Sequence, residues 1–121
     1  MNIETAEISL VRFVAARCGM TANTNVFRGE LPPGTTGAAV RFTSGHAAGA
    51  DLAEFSVTVT AAFDEPAEAR AFADALWGGL PVCNTSGFTR IAADDDADGE
   101  IKFAFAEGRF TVAGGLAVAF Y

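Results

Sequence analysis

The side chains best suited to chemistry in this sequence are three aspartates, Asp94, Asp96 and Asp98, placed at every second position and followed by Gly99. A calcium-binding EF-hand loop begins in this way, with oxygen ligands at alternate positions and then a glycine. The bidentate glutamate that closes such a loop is replaced here by Phe105, and the flanks alternate like strands rather than helices. We therefore expect no specific metal site, with the three aspartates as its weak candidate ligands, and favour an acidic hairpin turn.

A second candidate for chemistry is His46, the one histidine of the chain, which lies between Ser44 and Asp51 in a glycine-rich stretch. Serine, histidine and aspartate catalyse acyl transfer only when a fold holds them in a defined geometry, which neighbours in one loop do not establish. Glu65 and Glu68 could pair as carboxylates, but acids are stabilised at the start of a helix in any case. The sequence nominates no catalytic residue, and we expect a protein that is not an enzyme and has no cofactor.

Composition limits the remaining classes of function. The 121 residues are expected to form a single domain, and half of them are hydrophobic, including 11 phenylalanines, which is enough for a substantial core. The net charge of −7 and the eight scattered basic residues argue against a protein held to nucleic acid by phosphate contacts. The N-terminus has Glu4 and Glu7 where a signal peptide carries positive charge, and no apolar run approaches a membrane span. We expect a soluble protein made in the cytoplasm, with Cys18 and Cys83 as unpaired thiols.

The first half of the chain is predicted to contain one helix and three strands, of which the first is a short apolar piece around residues 25–28. Residues 2–18 carry an apolar stripe at helical spacing, with Asn2 as the N-cap and Gly19 after the end. The prolines and glycines of residues 29–37 predict a loop. Residues 38–43 and 55–63 alternate as strands do, and the glycine-rich residues between them predict a second loop.

The second half is predicted to contain one helix followed by three strands. Pro66 begins a helix whose apolar residues recur at helical spacing up to Gly78 and Gly79. Strands are expected over residues 88–93, around residues 101–105 and in the C-terminal segment, where a glycine pair at 114–115 suggests a bulge. Because both helical stripes need a sheet to cover, we predict an α+β fold with a mostly antiparallel sheet of about five to six strands and two helices packed on it.

Residues 25–80 resemble the small minor capsid, tail-terminator and tail-completion proteins of tailed bacteriophages and related prophage elements. In that family a leading helix precedes a V-F-x-G-x-L-P stretch, and a strand, a glycine-rich segment, a long F-x-V-x-V strand and a helix with A-x-x-x-A-x-x-L follow. The matching residues here are Val26, Phe27, Gly29, Leu31, Pro32, Phe55, Val57, Val59, Ala69, Ala73, Leu76 and Leu80.

The resemblance implies a structural virion or prophage protein without enzymatic activity. Such proteins form a ring, usually a hexamer, that caps the tail tube and joins it to the head connector. The implied partners are further copies of the chain, the tail-tube protein and the head–tail connector proteins, while DNA passes through the ring without specific binding and no membrane is involved. The implied location is the virion, assembled in the cytoplasm of the bacterial host.

Two loops are the predicted contact regions, since mobile loops commonly become ordered on docking to a partner. The predicted interface residues are Leu31, Pro32, Pro33, His46 and Asp51. An alternative interpretation is a small non-enzymatic adaptor domain that binds a ligand or a protein between these loops. A third is a divergent enzyme that uses His46 with nearby acids.

Overall fold

The computed structural model describes residues 1–49, 51–94 and 100–121. Two helices and seven strands form in this part of the chain: α1 (Ile3–Arg17), β1 (Val26–Arg28), β2 (Gly37–Ala47), β3 (Ala53–Phe63), α2 (Pro66–Trp77), β4 (Val82–Thr85), β5 (Phe88–Ala93), β6 (Lys102–Ala106) and β7 (Arg109–Phe120). The strands make one sheet in the order β1-β2-β3-β7-β5-β4, with β6 also beside β7. The predicted α+β class is confirmed, and the sheet is larger than the five to six strands expected.

The sheet is mixed, because β1 pairs with β2 in the parallel direction while the other pairs are antiparallel. Val26 lies opposite Ala38, and Arg28 lies opposite Val40. Parallel neighbours need a connection that returns along the length of the strand. Since β1 has only three residues, the proline-rich loop 29–36 is long enough to make that return.

Both helices begin and end close to where the sequence predicts. The Asn2 side chain accepts a hydrogen bond from the Thr5 backbone N–H at 2.8 Å, which caps the first turn of α1. Pro66 is the first residue of α2, and Gly78 follows its last residue. Arg17, at the end of α1, donates from Nε to the Leu76 carbonyl at 3.0 Å, so the helices are joined at their C-terminal ends.

The core lies on one face of the sheet, beneath the two helices. Leu10 and Val14 of α1 belong to the same buried cluster as Phe72 and Leu76 of α2. The sheet contributes alternate residues to this cluster, namely Val26, Ala38, Val40, Val57, Val59, Ala61, Phe63, Phe88, Ile91, Val112, Leu116, Val118 and Phe120. The described part of the chain therefore has two layers, and neither of its helices lies on the second face of the sheet.

Strand β2 is longer than predicted, because it continues through Ala47 instead of ending at Thr43. The pairing of β2 with β3 shifts between Phe42 and Ser44, so a bulge lies at Thr43. Beyond this bulge the two strands remain paired, with His46 opposite Glu54. Residues 44–47, expected in a flexible loop, therefore form part of a long hairpin. Their small side chains and glycine hide the strand pattern in the sequence.

The predicted hairpin between β5 and β6 is wrong. Both strands run antiparallel to β7, and both lie on the side of β7 away from β3, so they run in the same direction. Ala93 pairs with Leu116, and Lys102 pairs with Ala113. Strands β5 and β6 therefore follow one another along the same side of β7 and do not pair as a hairpin. The Asp98–Gly99 turn signal lies outside the described residues.

The glycine pair in β7 makes room for neighbours instead of forming the predicted bulge. The pairing of β7 with β3 continues in register through Gly114 and Gly115. A Cβ atom on Gly114 would lie 2.6 Å from Cζ2 of Trp77, and one on Gly115 would lie 2.9 Å from Cβ of Asp94. The Trp77 indole N–H donates to the Gly115 carbonyl at 2.9 Å. These glycines admit the α2 indole on one face and the residue after β5 on the other.

Candidate functional site

Two of the large hydrophobic side chains that are exposed in the described ranges lie on β6. Phe103 is 54% exposed and Phe105 is 65% exposed, and all five residues of the strand are exposed. Phe103 lies opposite Val112, and Phe105 lies opposite Phe110, so both rings are on the helix-bearing face. The helix-bearing face of the sheet extends beyond α2 towards β6, and neither described helix covers the aromatic side chains on that part of it.

Between α2 and β6 lies an apolar groove, which we call the β6 groove. It is lined by Pro66, Ala69, Arg70, Asp74, Phe103, Ala104, Phe105, Phe110 and Thr111, with a volume of about 670 Å³. Phe105 and Phe110 pack with ring centroids 4.8 Å apart, which fixes part of its floor. Exposed aromatic residues beside a helix form the kind of concave surface that binds an apolar segment of another protein.

The backbone of β6 adds to this binding capacity. In the described part of the chain, β6 pairs only with β7, so its other edge has no partner strand. Natural proteins protect open edges with charges, prolines or bulges, because such edges pair with other chains. Here the strand has one charged residue, Lys102, and two phenylalanines. An apolar open edge of this kind is typical of an interface.

The first predicted contact region lies at the opposite side of the sheet. Leu31 is half-buried, and Pro32 and Pro33 are exposed, in the loop between β1 and β2. Arg109 Nη2 donates to Thr36 Oγ1 at 2.5 Å, which ties the end of this loop to the start of β7. Arg109 Nε also lies 3.1 Å from Asp64 Oδ1, in an ion pair without hydrogen-bond geometry. The loop is thus held at its base while its prolines face outwards.

The second predicted contact region is the end of the long β2–β3 hairpin. His46 and Asp51 are both exposed there, and Asp51 has a left-handed backbone with φ of 62°. The carboxylate that the structure places next to His46 is that of Glu54, with 3.4 Å between Nε2 and Oε2. Both partners are exposed, so this pair contributes little to stability. The Ser44–His46–Asp51 arrangement considered from the sequence is not the one that forms.

The helix-free face of the sheet has a shallow polar hollow near this hairpin. Ser44, His46, Glu54, Arg90 and Asp94 line it, together with small residues of β7. Charged groups of both signs over a floor of alanines could bind a small polar ligand. This hollow is the feature of the structure that favours the adaptor interpretation.

Of the three weak candidate metal ligands, only Asp94 lies within the described residues. Asp94 is half-buried at the end of β5, where its backbone N–H donates to the Gly115 carbonyl at 3.2 Å. The other two candidate ligands, Asp96 and Asp98, lie outside the described residues. Within residues 1–49, 51–94 and 100–121, no three His, Cys, Asp or Glu side chains are grouped as metal ligands. In the same ranges, no helix is both long enough and apolar enough to cross a bilayer.

The two cysteines have different surroundings, and we expect their thiols to react at different rates. Burial raises the pKa of the Cys18 thiol from 9.0 to about 11, a rise that the neighbouring Arg17 partly opposes. Only the thiolate is nucleophilic, so at pH 8 Cys18 should react about a hundredfold more slowly than an unhindered thiol. Cys83 is exposed on β4 and should react first.

Iodoacetamide labelling followed by intact-mass analysis checks this prediction. One adduct should form quickly at Cys83, and the second should appear only at high pH or after unfolding. The Cys83→Ser variant is the control, and it should lose the fast adduct alone. Equal labelling rates for the two cysteines at pH 8 would contradict the burial of Cys18.

Sequence reasoning missed the β6 groove. The alternation of Phe103 and Phe105 with Lys102, Ala104 and Ala106 predicts a strand, but it does not indicate whether the apolar face of that strand is covered. The signal that could have found the groove is the count of strands and helices. Two helices of 15 and 12 residues are too few to cover a seven-stranded sheet, so part of one apolar face must stay uncovered.

Comparison with solved structures gives a distant likeness. No protein-family model matches the chain, and no curated protein matches it. A solved structure titled "Virion of native gene transfer agent (GTA) particle" contains a chain similar to this one, with 19% sequence identity and a TM-score of 0.45. The match covers 95% of this chain and 92% of that chain. A likeness at this identity and score carries no conclusion about function, which is inferred from the surfaces described above.

Proposed function

We propose that this chain is a structural virion or prophage protein that assembles with copies of itself into a closed ring, a hexamer, at the end of a tail tube. The ring stops growth of the tube and joins it to the head connector. It is built in the bacterial host cytoplasm and remains in the virion. Its partners are the tail-tube protein and the connector proteins, and DNA passes through without specific binding.

The observation that carries this proposal is the apolar open strand β6, with Phe103 and Phe105 more than half exposed. Large aromatic side chains on an unpaired edge are a liability for a free monomer and an advantage for a protein that is buried in an assembly. Rings form when one surface of a protein binds a different surface of the next copy and the rotation closes. Polar side chains in place of the exposed phenylalanines of β6 would have favoured a monomer.

The family resemblance noted in the sequence supports the same proposal. Where the resemblance implies a strand or a helix, the matching residues lie on one: Phe55 and Val57 on β3, and Ala69 and Leu76 on α2. The net charge of −7 suits a channel for DNA, since like charge keeps the phosphate backbone from adhering to the wall.

A tube-growth assay tests this function. Purified tail-tube protein from the same virion is allowed to polymerise with and without this chain, and tube lengths and ends are measured by negative-stain electron microscopy. We expect substoichiometric protein to shorten the tubes and to add density at one end. Tubes of unchanged length with bare ends would contradict the capping role.

The adaptor interpretation has its own observation, the polar hollow of His46, Glu54 and Arg90. It predicts a monomer whose melting temperature rises with a small charged ligand. A His46→Ala variant would then lose the shift while keeping its stability without ligand. A ligand-independent melting temperature favours the assembly function.

A further inference from the structure

We propose that the β6 groove binds the Leu31–Pro32–Pro33 segment of a second copy of this chain, so that copies join head to tail. This inference rests on the proposed ring and names the two surfaces that make its contact. Four features of the structure support it: the chemistry of the groove, the chemistry of the loop, their charges and their positions on the sheet.

The groove is suited to prolines. Its floor is aromatic, formed by Phe103, Phe105 and Phe110, and one wall is α2 with Pro66 and Ala69. Proline segments commonly bind in aromatic-lined grooves, because their rings pack flat on aromatic faces and their backbone is already ordered. Little conformational entropy is therefore lost when such a segment is bound.

The loop is suited to the groove. Pro32 and Pro33 are exposed in the free chain, and Leu31 beside them is half-buried. Prolines have no backbone N–H to desolvate, while their carbonyl groups still accept hydrogen bonds. The open edge of β6 presents backbone donors next to the apolar floor. Both the side chains and the carbonyls of the loop can therefore find partners there.

The loop carries one charge, and the groove has a partner for it. Glu30 is the single charged residue between Gly29 and Gly37, so the loop is acidic. The groove has Arg70 on its α2 wall, with one acid, Asp74, on the same wall. Lys102 alternates with Phe103 on β6 and lines the opposite face of the sheet, so Arg70 is the base that the groove offers to Glu30.

The loop and the groove belong to opposite edges of the sheet, at overlapping levels along the strands. Successive strand pairings connect one row of residues across the sheet, namely Val26, Ala38, Ala61, Val112 and Phe103. The loop leaves β1 after Arg28, two residues beyond this row, and returns to β2 at Gly37, one residue before the row, while the groove lies at the β6 side. A neighbour placed beside the molecule can therefore present its loop to the groove with little shift along the strands, and repeated contacts of this head-to-tail kind form a ring when their rotation closes.

Direct pairing between β6 and the β1 edge of the neighbour is less favourable. The outward backbone groups of Val26 are already used within the chain, since its N–H donates to the Thr21 carbonyl at 3.3 Å and its carbonyl accepts from Asn23 at 2.8 Å. The backbone groups at the β1 edge are thus partly occupied by hydrogen bonds to the turn that precedes the strand. The exposed prolines beyond β1 remain as the available contact.

Mixing two disabled variants tests the contact. The groove variant carries Phe103→Ser and Phe105→Ser, and the loop variant carries Pro32→Ser and Pro33→Ser. Each keeps the surface that the other lacks, and masses are measured by sedimentation at low and high protein concentration. Ile3→Ser is the matched control, because Ile3 is 50% exposed on α1 and lies outside the groove. Circular dichroism checks that every variant is folded.

We expect the unchanged chain and the Ile3→Ser control to form the same oligomer. Each disabled variant alone should bind its own copies at least about tenfold more weakly. The mixture of the two should stop at a heterodimer, because the intact groove of one binds the intact loop of the other and no further contact can form. A loop variant that keeps the full oligomer mass would overturn the inference while leaving the ring itself standing.

Other outcomes separate the contact from the proposed function. If masses grow without limit as concentration rises, and either variant abolishes this growth, the contact is correct and the closed ring is wrong. A chain that stays monomeric at every concentration overturns both. A charge exchange adds a second readout: Glu30→Lys and Arg70→Glu should each weaken association, and the double variant should recover it.

Discussion

Replacing Trp77 with alanine is expected to lower the free energy of unfolding by about 3–5 kcal/mol, the usual cost of removing a large buried aromatic side chain. Trp77 is 8% exposed at the end of α2, and its ring meets Phe72 edge-on at a centroid distance of 6.2 Å. Its indole N–H also donates to the Gly115 carbonyl, which joins α2 to the middle of β7. The substitution removes packing, a hydrogen bond and the main contact above Gly114 together.

Thermal unfolding followed by circular dichroism measures this effect, and a fall in Tm of roughly 10–25 °C is expected for a domain of this size. Trp77→Phe is the matched control, because it keeps an aromatic ring and removes the indole N–H. It should cost about 1–2 kcal/mol. A Trp77→Ala variant as stable as the unchanged protein would show that α2 does not pack on β7 as described.

Replacing Gly114 with alanine is expected to destabilise the protein by about 1–3 kcal/mol, although alanine usually favours a strand more than glycine does. The reason is space, since the added methyl group would lie 2.6 Å from Cζ2 of the Trp77 ring. The indole cannot move away freely, because it is buried and hydrogen-bonded to the next residue of the strand. Chemical denaturation of the purified variant measures the cost.

The same substitution in a Trp77→Phe background provides the control. A phenyl ring lacks the outer indole atoms that the methyl group meets, so Gly114→Ala should cost about 1 kcal/mol less there. That difference isolates the contact between the two residues from the general effect of replacing a glycine. Equal costs in both backgrounds would show that the glycine is required for another reason.

The sequence predicts the helices well because their limits depend on local chemistry. Asn2 caps α1, and Pro66 and Gly78 mark the ends of α2, each through a preference of its own backbone or side chain. The alternation of β3 predicts a strand with one buried face, which the structure confirms. These features can be predicted without knowing which helices and strands are neighbours in the fold.

The pairing of the strands was harder to predict because it depends on contacts distant in the chain. The local sequence of the acidic segment between β5 and β6 predicts a hairpin turn, yet both strands pair with β7 and not with each other. The parallel pairing of β1 with β2 has no local signal, since three residues carry no useful period. Gly114 suggests a bulge until the position of Trp77 above it is known.

The candidate site also combines a feature that the local sequence predicts with one that depends on distant contacts. Prolines 32 and 33 identify an exposed loop from the sequence alone, and they are exposed in the structure. The groove that we assign to them depends on where α2 ends relative to β6, which is a property of the assembled sheet. Phe103 and Phe105 therefore look like core residues until the edge of the helix layer is known.

The solution mass is the most direct test of the central claim, that this chain closes into a ring with its own copies. Light scattering after size exclusion at low and high protein concentration measures it. A hexamer of the 12.5 kDa chain would have a mass of about 75 kDa, and we expect one defined species of this kind that does not grow further as concentration rises. A chain that remains at the mass of a monomer at every concentration would contradict the claim.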